Sequence, residues 1–264
     1  MMKAAHHSLA APDGTSLAYA SLPASGSTLP GLVFLGGFRS DMTGVKATAL
    51  EAFCAARGQP FLRFDYRGHG ASGGRFEEAT VGDWVSDALA MIDGATSGPL
   101  ILVGSSMGAW IAVLAAIARP KRIAGLVGIA SAPDFTEDLI HDRLTAGQKA
   151  ELARAGVLRR PSVYDTEPYP ITSRLIEDGR ERLVLRAPIP LAIPLRLVHG
   201  LADPDVPWVQ SRRLLEAWEC ADARLTLVKD GDHRLSREQD LSLMMDAAAE
   251  ISALVTPSAA APAG

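Results

Sequence analysis

The sequence predicts an α/β fold, with a mostly parallel central sheet and helices on both of its faces. Short apolar runs alternate with helical patterns of ten or more residues along most of the 264-residue chain, which is typical of such a sheet. A serine flanked by glycines also lies at a junction between an apolar run and a helical pattern. The hydrophobic content of 48% is enough for one large core, so we predict a single domain over residues 1–255.

The first half of the chain shows the alternation most clearly. Two short antiparallel strands come first, and Asp13 and Gly14 between them are typical turn residues. Later, Thr80 followed by Asp83 forms a capping box that begins a helix. In chain order, the predicted strands cover residues 7–10, 15–22, 31–35, 60–64, 99–103 and 123–129, and the predicted helices cover 45–57, 80–92 and 109–116.

Residues 131–194 break the alternation, because they contain no convincing core strand. Thr145 and Gln148 form a second capping box at the start of a charged helix that ends near residue 153, and a further helix is predicted at 173–185. A Pro/Tyr-rich stretch lies between these helices. An insertion of this size after a sheet strand is typical of a lid over the strand ends, where open α/β sheets place their sites. A surface elaboration without function is the alternative.

The chain after the insertion returns to strands and helices. Strands are predicted at 195–199 and 224–228, and helices at 207–218 and 236–254. The last residues, 256–264, are almost all Ala, Pro, Ser and Gly, which favours a disordered tail.

The composition argues against several classes of function. A net charge of −4 without a Lys/Arg-rich stretch disfavours nucleic-acid binding. Cys54 and Cys220 provide neither a disulfide framework nor a metal-binding spacing. No apolar segment approaches the length of a membrane span, and the residues around Lys3 do not resemble a signal or transit peptide. We therefore expect a soluble, cytoplasmic protein; the sequence predicts no oligomeric state.

The segment 104–108, with the sequence GSSMG, is the strongest indication of chemistry. It follows an apolar strand and precedes an Ala-rich helix, which is the context of a nucleophile elbow. In so tight a turn the serine adopts a strained backbone, and glycine at both flanks avoids clashes. Ser106 is therefore the predicted nucleophile. Ser105 does not fit the motif, because the residues two positions before and after it are Val103 and Met107 rather than glycines. A glycine-rich turn that serves packing alone is the alternative.

A serine hydroxyl needs a base, and the base needs a group that orients it. In the arrangement that accompanies this elbow, the order along the chain is Ser, then Asp or Glu, then His. Asp203 follows the apolar strand at 195–199, and His233 follows the strand at 224–228. We predict that His233 is the base and that Asp203 orients it.

Three other histidines could act as the base: His69, His141 and His199. His141 lies in the insertion, and His199 lies within a strand pattern, where it is better placed to support the Asp203 loop. None of the three follows the last strand, as the base in this arrangement should.

Asp205 and Asp232 are the alternatives to Asp203. Asp205 comes shortly before Pro207 at the start of a helix, where an anion is favoured by the helix dipole. Asp232 is adjacent to His233, so its side chain would normally point elsewhere.

An acyl oxyanion needs two backbone N–H donors. One should come from Met107, the residue after the nucleophile. The other should come from the loop at 35–40, where Gly36 and Gly37 allow close approach of the backbone. The N–H of Phe38 is our candidate, and a glycine-rich turn without this role is the alternative.

Several motifs together resemble the α/β-hydrolase family, over almost the whole chain. Residues 65–72, DYRGHGAS, are similar to the D-x-R-G-x-G-x-S loop of that fold. Residues 199–207, HGLADPDVP, match its H-G-x-x-D-x-x-V-P motif, which favours Asp203 over Asp205. The resemblance implies an α/β-hydrolase fold with a helical lid insertion, and a serine hydrolase that uses no cofactor.

More narrowly, the chain resembles the abhydrolase-type acyl-protein (palmitoyl) thioesterases known from mitochondria. The stretches that carry this resemblance are 63–66, 101–108, 116–120 and 232–234. Members of that family cleave S-acyl thioesters and also esters such as acyl glucuronides, which implies a small-molecule or S-acylated substrate. Ala109 stands where the family has a second Gly, and Gly36 where many α/β-hydrolases have His.

Two alternatives to a thioesterase remain open. One is a small-ester carboxylesterase, and the other is a non-catalytic ligand-binding protein on the same fold. For a thioesterase, we expect Phe38, Met107 and Trp110 to line an apolar groove for an acyl chain, together with apolar residues of the insertion.

Overall fold

The computed structural model describes residues 3–160 and 168–256. Residues 257–264 of the predicted tail and residues 161–167 of the Pro/Tyr-rich stretch lie outside the described residues. The strands are β1 (Ala5–Ala10), β2 (Ser16–Leu22), β3 (Gly31–Leu35), β4 (Phe61–Phe64), β5 (Leu100–Ser105), β6 (Ile123–Ile129), β7 (Val157–Arg160), β8 (Tyr169–Thr172), β9 (Leu195–Gly200) and β10 (Ala223–Val228). The α-helices are α1 (Val45–Arg57), α2 (Val81–Gly94), α3 (Met107–Ala118), α4 (Ala146–Ala155), α5 (Ser173–Arg180), α6 (Val209–Ala217) and α7 (Glu238–Val255). Within these two ranges, no helix has the length and apolar character needed to cross a bilayer.

Eight of the strands form one mixed sheet in the order β1-β2-β4-β3-β5-β6-β9-β10. The pairs β1–β2 and β2–β4 are antiparallel, and all later neighbours in the sheet run parallel. The central strands β3, β4 and β5 are buried along their whole length. The predicted α/β fold is confirmed, and the carboxyl ends of the parallel strands meet at one edge of the sheet.

Two hydrophobic cores lie on the two faces of this sheet. Successive residues of a strand alternate between them, so that Leu35 belongs to the first core and Phe34 to the second. The first core contains the fully buried Trp84 of α2 and Trp110 of α3. The second core is covered by α1 and α7, with Met244 among its buried residues. Helices therefore cover both faces, as predicted.

The predicted bounds differ from the observed ones by at most two residues, except at the helix predicted at 173–185. Both capping boxes are present. Thr80 Oγ1 accepts a hydrogen bond from the Asp83 N–H, and Thr145 Oγ1 accepts one from the Gln148 N–H, each at 3.2 Å. The capping residues therefore begin these two helices where the sequence predicts.

The insertion between β6 and β9 differs from its prediction in two respects. Strands β7 and β8 pair in a separate antiparallel sheet, which was not predicted because each strand has only four residues. Helix α5 ends at Arg180 rather than at residue 185. The N–H groups of Val184 and Leu185 donate to the Asp134 carboxylate at 2.8 and 3.0 Å instead of continuing the helix. The predicted last turn of the helix is thus replaced by bonds to a side chain 50 positions away.

Hydrogen bonds between side chains and backbone attach the insertion to the helices of the first core. Asp178 accepts a hydrogen bond from the Gly82 N–H at 2.7 Å, at the start of α2. The indole N–H of Trp110 in α3 donates to the Arg182 carbonyl at 3.1 Å. The Trp110 ring also contacts Phe135 edge to face, with ring centroids 5.7 Å apart. The insertion is thus fixed to α2 and α3.

Candidate active site

Ser106 lies at the turn between β5 and α3, with φ 54° and ψ −117°. This backbone region is unfavourable for a residue other than glycine and persists only where the surroundings impose it. Three hydrogen bonds do so here. The Ser106 N–H donates to the Ile129 carbonyl at 2.8 Å, and the Ser106 carbonyl accepts from the N–H groups of Ala109 and Ala132 at 3.0 and 3.2 Å. The predicted strained turn is confirmed.

The two glycines that flank Ser106 are sterically required. A Cβ atom on Gly104 would lie 2.5 Å from the Ala109 Cα, and one on Gly108 would lie 2.1 Å from the Leu35 carbonyl oxygen. Both distances are far below van der Waals contact and involve backbone atoms, which have little freedom to move. The sequence prediction that only glycine fits at these two positions is confirmed.

Asp203 and His233 are joined by a hydrogen bond of 2.7 Å between Oδ2 and Nδ1. The second oxygen of Asp203 accepts the backbone N–H groups of Asp205 and Val206, each at 2.9 Å. Burial disfavours the charge, but the hydrogen bonds from His199 and His233 outweigh it and hold the pKa of Asp203 well below its usual range. Because a carboxylate can only accept, Nδ1 of His233 carries the proton, and Nε2 is left as the basic nitrogen.

The three alternative bases occupy other roles. His199 is fully buried, with Nε2 3.3 Å from Asp203 Oδ2 and Nδ1 2.6 Å from Ser211 Oγ, so it supports the Asp203 loop as predicted. His69 is only 4% exposed, and both of its ring nitrogens face backbone groups. His141 lies in the insertion beside acidic side chains.

The structure corrects the interpretation of Asp205 as a residue at a helix start. Helix α6 begins only at Val209, and its first turn contains no acidic residue. A carboxylate oxygen of Asp205 lies instead within 4.8 Å of both an Asp203 oxygen and a ring nitrogen of His233. Asp205 therefore belongs to the electrostatic surroundings of His233. Asp232, as predicted, points elsewhere and accepts a backbone N–H of the next turn at 3.0 Å.

Ser106, Asp203 and His233 follow strands β5, β9 and β10, so all three lie at the carboxyl edge of the sheet. Across the part of the chain that the structure describes, no hydrogen bond joins Ser106 Oγ to His233 Nε2. Such bonds are often long in enzymes without bound substrate and tighten when substrate arrives. The fold therefore gathers the three predicted residues at one edge and pairs two of them directly.

The loop after β3 passes beside the turn of Ser106. A Cβ atom on Gly37 would lie 3.5 Å from the Ser106 Cβ, which is ordinary contact. The Gly37 carbonyl accepts hydrogen bonds from the N–H and Oγ of Ser40 at 3.1 and 2.9 Å. These bonds fix the peptide group to which the Phe38 N–H belongs. Within residues 3–160 and 168–256, the N–H groups of Phe38 and Met107 have no hydrogen-bond acceptor, so both are available to a ligand.

Two of the three named side chains predicted to line an apolar groove are closed to solvent. Met107 and Trp110 are 1% and 0% exposed. The Phe38 ring is half-buried and contacts Phe76 and Phe135 edge to face, with centroids 4.9 and 5.5 Å apart. The prediction that Trp110 binds substrate stays a prediction, and the side chain has no exposed surface in this structure. Its indole is a core side chain that attaches the insertion to α3.

A cavity of about 420 Å³ opens beside the loop after β3. Its walls include Arg39 and Asp41 from this loop, His69 and Glu77 from the segment after β4, and Arg159 from the insertion. The lining is charged and polar, which distinguishes this cavity from the predicted apolar groove.

Residues 65–72 have a role that the sequence analysis did not assign. Asp65 Oδ1 accepts the Met42 N–H at 2.6 Å, and His69 Nε2 accepts the Arg39 N–H at 3.1 Å. Two side chains of this segment therefore hold the backbone of the loop after β3. The D-x-R-G-x-G-x-S motif was the available signal, but the bonded partners lie 23 and 30 positions away in the chain.

Comparisons with known proteins agree with this fold. A family model described as "Serine aminopeptidase, S33" matches residues 32–163. The mitochondrial palmitoyl-protein thioesterase ABHD10 of Mus musculus is 41% identical over 231 residues, which is 87% of this chain and 76% of that protein. The crystal structure of a protein named as a hydrolase from Agrobacterium vitis S4 has a TM-score of 0.91 and 40% identity, covering 95% of this chain and 100% of that one. Mouse α/β-hydrolase domain-containing protein 10 has a TM-score of 0.86 and 36% identity, covering 94% and 98%.

The same comparisons correct the expected location. The relatives from mouse, cattle, rat and human are all named as mitochondrial proteins, so the prediction of a cytoplasmic protein is wrong. That prediction depended on the composition of the first few residues. The named location of relatives that share about 40% of the sequence is the stronger observation.

Proposed function

Because the chain belongs to the α/β-hydrolase family that includes the palmitoyl-protein thioesterase ABHD10, we propose that it hydrolyses acyl thioesters through an acyl-serine intermediate. The observation that carries this proposal is the 41% identity with the mouse thioesterase over 87% of the chain. The proposed substrate is an S-acylated protein or a small acyl thioester, and the reaction uses no cofactor.

Ser106 is the proposed nucleophile, and His233 is its base. As Ser106 Oγ bonds to the acyl carbon, its proton moves to His233 Nε2, and the carbonyl electron pair moves onto the oxygen. Asp203, 2.7 Å from Nδ1, stabilises the imidazolium that forms. The tetrahedral intermediate then collapses, the bond from carbon to sulfur breaks, and the leaving thiolate takes the proton from Nε2.

The N–H groups of Phe38 and Met107 are the proposed oxyanion donors. Met107 is the first residue of α3, so its N–H lies at the positive end of the helix dipole. The loop of Phe38 approaches Ser106 through Gly37, where the absence of a side chain leaves room. Loss of one such donor typically lowers kcat by about 10²–10³.

Hydrolysis of the acyl-serine repeats the same steps with water. His233 Nε2 accepts a proton from water as the water oxygen bonds to the acyl carbon, and the two donors again hold the oxyanion. Collapse breaks the bond from carbon to Ser106 Oγ, and His233 returns the proton to Oγ. The acid leaves, and the residues regain their starting protonation.

The test is a comparison of the wild type with Ser106→Ala on pairs of thioesters and oxygen esters that carry the same acyl chain. We expect hydrolysis of thioesters by the wild type and a loss of about 10⁶ in kcat in the variant, since the hydroxyl supplies the attacking atom. A fluorophosphonate probe should label Ser106 in the wild type only. Ser105→Ala is the matched control, because Ser105 ends β5 and is only 7% exposed. The probe should still label Ser106 in this variant.

Each contrary result has its own meaning. Labelling that persists in Ser106→Ala would refute the nucleophile. Clear preference for short oxygen esters over thioesters would identify a carboxylesterase. A folded wild type that neither reacts with the probe nor hydrolyses any member of the pairs would be a binding protein on the hydrolase fold.

A further inference from the structure

His69 is a buried side chain outside the proposed catalytic residues, and both of its ring nitrogens are bonded to backbone. Nε2 lies 3.1 Å from the Arg39 nitrogen, and Nδ1 lies 3.1 Å from the Arg67 carbonyl oxygen. A backbone N–H can only donate and a carbonyl can only accept. The ring must therefore carry its proton on Nδ1 and accept at Nε2, which requires the neutral form.

The surroundings of His69 fix this arrangement. The ring packs edge to face against Tyr66, Phe76 and Trp84, with centroids 5.7, 5.2 and 5.4 Å apart. Burial lowers the pKa of the imidazole, and the positive charge of Arg39 acts in the same direction. The ring is thus held both in orientation and in its neutral state.

The bond from Arg39 connects His69 to the proposed oxyanion donor. Arg39 has φ 60°, a left-handed conformation that a side chain of this size adopts only when other contacts impose it. This conformation closes the tight turn in which Ser40 bonds back to the Gly37 carbonyl. The Gly37 carbonyl and the Phe38 N–H belong to one peptide group, so holding the carbonyl sets the direction of the N–H.

We propose that His69 is a positioning residue that directs the Phe38 N–H toward the oxyanion by accepting the Arg39 N–H. The proposal rests on the proposed function, because the oxyanion role of Phe38 belongs to it. His69 touches neither substrate nor Ser106 in this scheme. It acts through the turn, and its loss should affect the transition state more than substrate binding.

The test replaces His69 with two amide side chains, each of which can keep one of the two hydrogen bonds to Arg39 and Arg67. The Gln side chain extends as far as Nε2 and can still accept from Arg39, whereas Asn extends only as far as Nδ1 and can keep only the bond to the Arg67 carbonyl. We expect His69→Asn to lower kcat by about 10–100-fold with little change in KM, since a misplaced oxyanion donor lowers the rate of the chemical step by roughly that factor. His69→Gln should restore most of kcat.

An inhibitor that forms a tetrahedral oxyanion separates positioning from general damage to the fold. A trifluoromethyl ketone with the alkyl chain of the substrate should bind His69→Asn more weakly, by the same factor by which kcat/KM falls. The reason is that the oxyanion of its adduct is held by the same two N–H donors. Equal kcat in the Asn and Gln variants, or unchanged inhibitor affinity beside a reduced kcat/KM, would overturn the role of His69.

A measurement on the wild type does not depend on folding of a variant. The ¹⁵N spectrum of His69 should show a protonated Nδ1 and an unprotonated Nε2, and a protonated Nε2 would refute the proposal. The two proposals also fail separately. A wild type that hydrolyses no thioester or ester refutes the proposed function, whereas an active wild type with indistinguishable Asn and Gln variants refutes only the role of His69.

Discussion

The sheet edge that carries Ser106 and the insertion between β6 and β9 differ in how much of each a local sequence pattern predicts. The turn at Ser106 is predicted by the short motif with Gly104 and Gly108, although two of its three backbone bonds join Ile129 and Ala132, more than twenty positions away. The insertion depends on Asp134 and Asp178, whose backbone partners lie 50 and 96 positions away. A short motif therefore predicts the first region, whereas the contacts that shape the second become visible only in the folded chain.

The sharpest test of the sheet edge compares two neighbouring carboxylates. Asp203→Asn should lower kcat by about 10³–10⁴, because the imidazole loses both its tautomer control and its charge partner. Asp205→Asn should lower kcat by about tenfold or less, since this carboxylate is near His233 but partly exposed and screened. The measurement is steady-state kinetics on one thioester, with circular dichroism to verify folding.

The reverse order of effects would identify Asp205 as the carboxylate that orients His233. Equal and large effects would mean that the two residues act as one anionic unit, and the separation drawn between them would fail.

Much of the sheet edge could be predicted from the sequence because each signal there is local. The G-x-S-x-G turn, the strand ends before Asp203 and His233, and the order of the three residues all appear within short windows. The role of Asp205 was misjudged because the start of α6 is uncertain by two residues, which is the ordinary error of a helix boundary. The bonds of Asp65 and His69 to the loop after β3 could not be predicted, because they join distant segments.

The insertion should respond differently to loss of its long-range contacts. Asp134 is fully buried and accepts two backbone N–H groups, and Asn at this position would present an NH₂ group to one of them. We expect Asp134→Asn to lower the free energy of local unfolding of the insertion by about 1–3 kcal/mol, because a buried hydrogen bond is lost. The backbone should not add to this loss, because Asn also tolerates the left-handed conformation at φ 57°. Hydrogen exchange should accelerate in α5 but not in β5.

Asp142→Asn is the matched control, since replacing this exposed side chain should change the free energy of unfolding by less than about 0.5 kcal/mol. If the Asp134→Asn substitution accelerates exchange in β5 as much as in α5, the insertion and the sheet unfold together, and the contrast between the two regions is lost.

The smallest expected effects come from one motif that occurs in both regions. Thr80 caps α2 in the first core, and Thr145 caps α4 in the insertion, through hydrogen bonds of equal length. Thr80→Ala should lower the free energy of global unfolding by about 1 kcal/mol, because α2 packs on the sheet. Thr145→Ala should change it by less than about 0.5 kcal/mol, because an exposed cap can fray locally. Urea denaturation of both variants provides the measurement, and equal losses would contradict a separable insertion.

The order of the strands makes the candidate site mechanically uneven. Ser106 follows β5, which lies in the middle of the sheet and is buried along its whole length. His233 follows β10, one of the two edge strands, where half of the residues are exposed. Local fluctuations need less free energy at the edge of a sheet than at its centre. The proposed nucleophile thus follows a central, fully buried strand, while the proposed base follows an edge strand and can shift without disturbing the turn that holds Ser106.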